Sequence, residues 1–178
     1  GGAREGAERV RDIVEDLRRL SADGSGELVV LDLAECARIG AHWVLRGARQ
    51  VADLQITGQM PLRVRGRPGH VQQVVMNLVQ NAVDAVAGQP APRVSLHLST
   101  EGGMGCLSVQ DNGPGISEAA AAMIFDPFFT TKPVGHGTGL GLSISLKIAE
   151  EHGGHLLHLP SDQGALFRLE LPLAEGAA

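Results

Sequence analysis

One segment of this 178-residue chain, residues 71–86, has the two faces of a helix that covers a core. Its apolar residues recur at intervals of three and four positions, which places them on one helical face. These apolar residues are Val71, Val74, Val75, Leu78, Ala82, Ala85 and Val86. A second set at similar spacing forms a polar stripe of Gln73, Asn77, Asn81 and Asp84. The segment therefore predicts a helix that packs through one face and presents amide side chains on another.

Shorter patterns on both sides of this helix predict the other elements. Strands are predicted at 28–33, 54–57, 62–65, 93–99, 106–110, 155–159 and 165–171. Helices are predicted at 4–20, 34–52, 117–124 and 141–152, and residues 66–69 are interpreted as a break before helix 71–86. Strand pairs lie beside helices without regular βαβ alternation. The sequence therefore predicts an α+β fold, a two-layer sandwich with three main helices on one face of a mixed sheet of about five or more strands.

The composition is that of a globular domain, with 43% hydrophobic and 20% charged residues. The net charge is −5 and no cluster of Lys and Arg occurs, which argues against nucleic-acid binding. No segment has the length of a membrane span or the pattern of a signal peptide, so we expect no membrane contact by this segment. Two cysteines, Cys36 and Cys106, lie singly in apolar segments and predict reduced thiols in a cytoplasmic protein.

The predicted helix at 4–20 carries a short apolar seam. Its residues are Val10, Ile13, Leu17 and Leu20, in the spacing of a coiled coil over barely two heptads. Two interpretations stay open: the helix docks on its own domain, or it is the end of a longer dimerisation helix.

Residues 111–115, Asp-Asn-Gly-Pro-Gly, come directly after a predicted strand. On their own they encode a tight turn. Alternatively, an aspartate at a strand end accepts a hydrogen bond from an exocyclic amine, and glycines beside it let a flat ring approach the backbone. The polar stripe of helix 71–86 leaves a similar choice, between a solvated face and a site where amide oxygens meet Mg²⁺ and phosphate.

Two later segments add to this pattern. Residues 125–132, FDPFFTTK, place three of the chain's five aromatic residues before two threonines and a lysine. Residues 135–142 carry four glycines and lead into the last predicted helix. Glycines at the start of a helix expose amide groups toward an anion. The spacing is neither that of a P-loop nor that of a Rossmann loop.

In this order the four segments resemble the catalytic ATP-binding domain of sensor histidine kinases, a branch of the ATPases that include gyrase, the large heat-shock chaperone and the mismatch-repair protein MutL. The matching residues are NLVQNAVDA (77–85), DNGPG (111–115), FDPFFTTK (125–132) and GHGTGLGLSIS (135–145), within a similarity over about residues 28–172. The run FFTTKPVGHGTGLGLSIS is most similar to the nitrogen-regulation type. The resemblance implies a Bergerat-type ATP-binding fold.

The resemblance also implies a domain organisation. Residues 1–22 would be the end of a dimerisation and phosphoacceptor hairpin, and 23–27 a hinge. Residues 28–173 would be the ATP-binding catalytic domain, and 174–178 a tail.

ATP and Mg²⁺ are the cofactors that the resemblance implies. Asn81 would coordinate Mg²⁺, Asn77 would lie beside the phosphates, and Asp111 would accept from the adenine amine, with Gly113 and Gly115 making room for the ring. The further nucleotide-binding residues implied are Asp84, Ile116, Thr131, Lys132, Gly135, Gly137, Thr138, Gly139, Leu140 and Gly141. Among all these, Asn77 and Lys132 are implied in catalysis, and residues 123–140 would form a lid. Some kinases carry a lysine where this chain has Asp84, so we expect no lysine contact to phosphate from this helix.

The function that follows is that of a protein histidine kinase, acting as a homodimer and passing a phosphoryl group to a response regulator. None of the seven histidines precedes the acidic residue of the family's phosphoacceptor motif, so we expect the acceptor on a hairpin mostly absent from this chain, and no autophosphorylation by this chain alone. Asn77 cannot serve as base for water, because an amide takes no proton near neutral pH. The alternatives are a hydrolytic ATPase of the same fold, a nucleotide-binding module without catalysis, and a serine kinase acting on an anti-anti-sigma partner.

Three histidines spaced by three positions, His152, His155 and His158, leave a separate choice. They are either a metal site or ordinary surface residues, and the strand predicted from residue 155 would direct the last two to opposite faces. We therefore favour ordinary surface residues.

Overall fold

The computed structural model describes residues 26–48, 52–130 and 141–174. Seven strands and four helices alternate irregularly along these ranges. The strands are Val29–Asp32 (β1), Asp53–Gly58 (β2), Arg63–Gly66 (β3), Arg93–Glu101 (β4), Met104–Asp111 (β5), His155–Leu159 (β6) and Leu166–Pro172 (β7). The helices are Leu33–Gly47 (α1), Pro68–Ala85 (α2), Glu118–Ala121 (α3) and Gly141–Glu151 (α4).

The main sheet has five strands in the order β2-β4-β5-β7-β6. Strands β2 and β4 pair in parallel and the other three pairs are antiparallel, so the sheet is mixed. Strands β1 and β3 form a separate antiparallel pair, which an isolated bridge between Val64 and Leu173 joins to the end of β7. The α+β fold with a mixed five-stranded sheet is confirmed.

The core lies between one face of this sheet and the three long helices. In β7 alternate residues Phe167, Leu169 and Leu171 are buried, as expected for a strand with one covered face. Helix α2 contributes the apolar face that its sequence predicts, including Val75 and Leu78. Full burial of one such side chain contributes about 1.5–3 kcal/mol, so this face fixes α2 firmly on the sheet.

Helix ends differ from the predicted ones for local reasons. Helix α2 begins at Pro68, because proline at the first helical position needs no hydrogen-bond donor. The predicted break at residues 66–69 is therefore too long: Gly66 ends β3, and Pro68 and Gly69 are already helical. Helix α1 begins at Leu33, where the Asp32 carboxylate accepts from the Ala34 amide at 3.0 Å. It ends at Gly47 because Ala48 is extended, so the predicted helix 34–52 is too long. No helix within the described ranges combines the length and apolarity needed to cross a membrane.

Some predicted segments lie outside the described residues. These are the helix at 4–20 and most of the hinge, residues 49–51, the region 131–140 and residues 175–178. Ala174, directly before residues 175–178, is buried, and its amide donates to the Arg63 carbonyl at 3.1 Å. Residue 174 therefore belongs with the domain and not with the predicted tail.

A buried histidine caps helix α2 from the far end of the chain. His152 follows α4, and its Nε2 accepts from the Arg67 amide at 3.0 Å, while Nδ1 lies 2.7 Å from the Ile148 carbonyl. Since that carbonyl only accepts, Nδ1 carries the proton and the ring is neutral. Burial lowers the pKa of His152, against the hydrogen bond to the Ile148 carbonyl, which raises it. The nearby Arg67 and His70 lower this pKa further, and Glu151 raises it. The expectation that His152 is an ordinary surface residue is wrong; it is 7% exposed.

Candidate nucleotide-binding site

Asp111, the last residue of β5, presents a carboxylate that is held from one side. It is 6% exposed, and its Oδ1 accepts from the backbone amides of Gly113 at 2.9 Å and Ala165 at 3.2 Å. Its own amide donates to the Ala165 carbonyl at 3.1 Å. No hydrogen bond from the described residues reaches Oδ2. The side chain is therefore fixed in orientation and keeps one acceptor atom for a donor from outside.

The electrostatics of Asp111 favour such a donor. Burial raises the pKa of this carboxyl, and the two backbone amides only partly oppose the shift. A carboxylate in a largely buried position is costly, and a hydrogen bond from a ligand reduces that cost.

The backbone around Asp111 leaves no room for side chains at two glycines. A Cβ on Gly113 would lie 2.4 Å from the Ala85 carbonyl oxygen, at the C-terminal end of α2. A Cβ on Gly164, which has a φ of 65°, would lie 1.9 Å from the Asp111 carbonyl oxygen. Gly115 also has a positive φ, of 78°. The protein's own backbone thus favours glycine at Gly113, Gly115 and Gly164. This reason is separate from the room for a ring that is expected at Gly113 and Gly115.

The neighbouring loop residues have structural partners. The Asn112 side chain donates to the Ala91 carbonyl at 2.7 Å and accepts from the Arg93 amide at 2.8 Å. It fastens the 111–115 loop to the segment before β4. Ile116, a predicted nucleotide-binding residue, is partly buried and packs against the hydrophobic core.

The polar stripe of α2 faces partly into the protein. Asn77 is half-buried, and its Nδ2 donates to the Ser145 hydroxyl at 3.1 Å and to the Gly141 carbonyl at 3.4 Å. Asn81, one turn later, is also half-buried. Asp84 is exposed and accepts from Gln80 at 2.8 Å. The stripe is therefore a solvated face only at its C-terminal end.

These contacts bring the predicted residues together around α2. The C-terminal end of the helix meets Gly113 through Ala85, and its middle meets the first residue of α4 through Asn77. At 1.5 Å per residue these two points are roughly 12 Å apart along the helix axis. The residues expected at the adenine and those expected at the phosphates thus lie at separate positions along one rigid element.

Seven of the predicted nucleotide-binding residues lie outside the described part of the chain. They are Thr131, Lys132, Gly135, Gly137, Thr138, Gly139 and Leu140. The predicted lid, 123–140, is described only as far as residue 130.

The three phenylalanines of residues 125–130 lie in two different environments. Phe125 and Phe129 pack against the core, and Phe125 meets Phe167 edge-on with ring centroids 6.5 Å apart. Phe128 is 56% exposed and has a φ of 67°, which is unusual for a bulky residue. The two inner rings therefore anchor the segment beside the site.

Three residues at the site were not predicted from the sequence. Gly164 and Ala165 hold Asp111 from the turn between β6 and β7, where the sequence shows only a turn. Ser145 lies on the apolar side of α4 and contacts Asn77. The signal that could have identified Ser145 is a hydroxyl among the buried Ile144, Ile148 and Ala149.

The side-chain oxygens at the expected phosphate end fit a hard cation. Two asparagines one helical turn apart offer amide oxygens, which are ligands that Mg²⁺ accepts. Because Nδ2 of Asn77 is engaged by α4, its oxygen is the atom left for such a cation or for water bound to it. Among the described residues no group of three or more His, Cys, Asp or Glu side chains could hold a metal by itself.

Residues 66–175 match the family described as histidine kinase-, DNA gyrase B-, and HSP90-like ATPase. The chain belongs to this ATPase family. The match spans α2, the 111–115 loop and α4, the elements that form the site above.

Two solved histidine kinases have the same fold as this ATPase domain. The catalytic domain of histidine kinase ThkA is 33% identical, with a TM-score of 0.73, over 83% of this chain and 98% of that one. Full-length ShkA, solved in complex with AMPPNP, is 28% identical with a TM-score of 0.80, over 98% of this chain and 38% of that one. The ATPase domain is therefore that of a two-component sensor histidine kinase.

Curated relatives of the ATPase domain are sensor proteins. The two-component sensor PprA of Pseudomonas aeruginosa is 45% identical over 64% of this chain and 13% of its own length. The C4-dicarboxylate transport sensor protein DctS of Rhodobacter capsulatus is 36% identical over 85% of this chain and 24% of its own length. This chain thus spans less than a quarter of the length of these two sensors. The nitrogen-regulation subtype stays a prediction.

Proposed function

We propose that this chain binds Mg-ATP and is the catalytic unit of a two-component sensor histidine kinase that transfers the γ-phosphoryl group to a histidine of its dimerisation hairpin. The observation that carries the proposal is the Asp111 carboxylate, buried, fixed through Oδ1 and left with Oδ2 for a ligand donor. An exocyclic amine such as that of adenine supplies this donor. The carbonyl oxygen that guanine presents at the same position would instead face a second acceptor.

The phosphate end of the nucleotide would lie toward the middle of α2. Asn81 would ligate Mg²⁺, with Asn77 beside it; Gly141 begins α4 next to Asn77, which supports an anion at the start of that helix. Asp84 lies toward the adenine end of α2, one turn beyond Asn81. Bound Mg²⁺ would supply charge compensation for the phosphates.

The remaining nucleotide contacts that we propose come from the segment before α4 and from the loop after β5. Lys132 and the amides of Gly137, Gly139 and Gly141 would hold the phosphates. The other proposed contacts are Gly113, Gly115, Ile116, Thr131, Gly135, Thr138 and Leu140.

The choice between phosphoryl transfer and hydrolysis rests on Asn77. An amide cannot accept the proton of an attacking water near neutral pH, so hydrolysis at this site should be slow. Transfer instead requires a histidine placed in line with the γ-phosphate, and the loss of such placement raises a barrier by about 7–11 kcal/mol. The chain alone should therefore bind ATP without consuming it quickly.

The domain boundaries and partners form part of the same proposal. Residues 1–22 would end the hairpin, 23–27 would be the hinge, and the ATP-binding domain would follow from residue 28. The sensor relatives support a homodimer that hands its phosphoryl group to a response regulator in the cytoplasm.

The test is incubation with γ-labelled ATP and Mg²⁺. The 178-residue chain should stay unlabelled, and a longer protein that includes the whole hairpin should acquire an acid-labile phosphohistidine. In the longer protein Asn81→Asp should abolish labelling, because a carboxylate changes the charge and geometry at the cation. Gln55→Glu, the same amide-to-acid change on an exposed strand residue, serves as the control and should label normally.

Two outcomes would overturn the proposal. Stoichiometric labelling of the 178-residue chain by itself would place the acceptor among its own histidines. Rapid phosphate release by that chain would favour the hydrolytic alternative.

A further inference from the structure

A buried hydroxyl lies on the apolar side of helix α4. Ser145 is 0% exposed, and Ile144, Ile148 and Ala149 are buried around it in the same helix. A buried hydroxyl without a partner destabilises a protein, whereas alanine at this position would add no polar group. The described partner of the Ser145 Oγ is Nδ2 of Asn77, at 3.1 Å. The serine is therefore explained by the asparagine it contacts.

A serine hydroxyl both donates and accepts, so the other contact of the Asn77 amide decides which way round that amide lies. The second partner of Nδ2, the Gly141 carbonyl at 3.4 Å, can only accept, so the atom facing it must be the nitrogen. The two hydrogens of Nδ2 then match the two acceptors on α4, Gly141 O and Ser145 Oγ. The oxygen Oδ1 is the atom of this amide that remains for a ligand.

The orientation decides what Asn77 can do at a phosphate site. An amide nitrogen donates to a phosphate oxygen directly, whereas an amide oxygen repels it and interacts through a cation or through water bound to that cation. With Nδ2 engaged on α4, only the second mode is open.

We propose that Ser145 is a positioning residue that holds the Asn77 amide with its oxygen available to Mg²⁺ or to Mg²⁺-bound water. Asn77 thereby supports the nucleotide through the cation and not by donating to a phosphate. This inference rests on the proposed function, because it assumes that Mg-ATP occupies the site.

The hydroxyl can be removed without adding volume by Ser145→Ala. Ser145→Thr and Ser145→Val form a matched pair of nearly equal volume, of which only the threonine keeps the hydroxyl. The affinity of each variant for a non-hydrolysable ATP analogue is measured by calorimetry, once with Mg²⁺ and once with EDTA.

In Mg²⁺ we expect Ser145→Ala to weaken binding about threefold to tenfold, the usual effect of losing one hydrogen bond. Ser145→Val should bind more weakly than Ser145→Thr by a similar factor. In EDTA the alanine variant and the wild type should bind equally, and so should the matched pair. An equal loss in EDTA would mean that the serine acts only on the fold, and unchanged affinity of Ser145→Ala in Mg²⁺ would likewise overturn the inference.

A second measurement does not depend on nucleotide. The side-chain NH₂ protons of Asn77, observed by nitrogen-15 NMR in the nucleotide-free protein, should exchange slowly with water in the wild type and clearly faster in Ser145→Ala. Equal exchange would show that the serine does not hold the amide. If the wild type failed to bind the ATP analogue at all, the proposed function would fail, while this measurement would still report on the orientation of Asn77.

Discussion

Replacing Asp111 with asparagine keeps the shape of the side chain and changes one oxygen into an NH₂ group. Because two backbone amides donate to Oδ1, the asparagine oxygen must stay there, and the new NH₂ takes the place of Oδ2. The atom offered to the ligand changes from acceptor to donor. It then faces the donating amine of adenine.

The expected loss follows from that mismatch. A buried polar group left without its partner costs about 1–3 kcal/mol, which is about 5-fold to 150-fold in affinity. We expect Asp111→Asn to bind ATP at least about tenfold more weakly, and the wild type to prefer ATP over GTP by a factor in the same range. Stability should respond differently: since burial raises the pKa of Asp111, the neutral asparagine removes an unfavourable buried charge. The thermal midpoint without nucleotide should therefore stay equal or rise.

Calorimetric titration with ATP and with GTP, beside thermal unfolding of the nucleotide-free proteins, tests both parts. Glu101→Gln is the control, because it removes one negative charge at the opposite end of the β4–β5 hairpin. The control should bind ATP like the wild type. Equal affinity of the wild type for ATP and GTP, or undiminished ATP binding by Asp111→Asn, would refute the assignment of Asp111 to the adenine amine.

Two further predictions concern stability. Folding lowers the pKa of His152, so the stability that this residue contributes is full above the ordinary histidine pKa of about 6.5 and declines as the pH falls through that value. Between pH 7.5 and 5.5 the thermal midpoint should therefore fall further for the wild type than for His152→Gln. Parallel curves of thermal midpoint against pH would contradict this. Gly164→Ala places a Cβ 1.9 Å from the Asp111 carbonyl oxygen at a φ of 65°, so urea unfolding should show a loss beyond the roughly 1–3 kcal/mol of the backbone strain alone. Gly88→Ala, at a φ of 86° with no atom within 4 Å of the added Cβ, is the matched control and should lose only the strain energy, so equal losses at both positions would count against the clash.

The sequence predicts those parts of the fold that depend on local pattern. The apolar face of α2 and the strand at 165–171 are visible in the residues themselves, and the structure has both. The start of α2 was missed because Pro68 and Gly69 also occur in turns, and only the helical geometry after them decides between the two. The parallel pairing of β2 with β4 and the separate β1–β3 pair depend on which strands meet in space, which local pattern does not encode.

The residues of the candidate site, like the elements of the fold, were predictable only in part. Asn77 is conspicuous in the sequence because asparagine is a poor helix former, and Asp111 is conspicuous because it opens the glycine-containing segment 111–115. Their partners Ala165 and Ser145 are not conspicuous, since one acts through its backbone and the other resembles any small helical residue. The residues proposed to contact a ligand were therefore predictable, and the residues that hold them were found only through the tertiary structure.

The His152 cap also has a consequence for the order in which the protein is made. Arg67, which precedes helix α2, leaves the ribosome 85 residues before the histidine that accepts from its amide. At 5–20 residues per second this interval lasts roughly 4 to 17 seconds. Asp111 likewise precedes Ala165 by 54 residues. During synthesis the asparagines of α2 thus exist well before the groups that cap their helix, and a chain that terminates before Ala165 leaves the proposed adenine acceptor without one of the two amides that orient it.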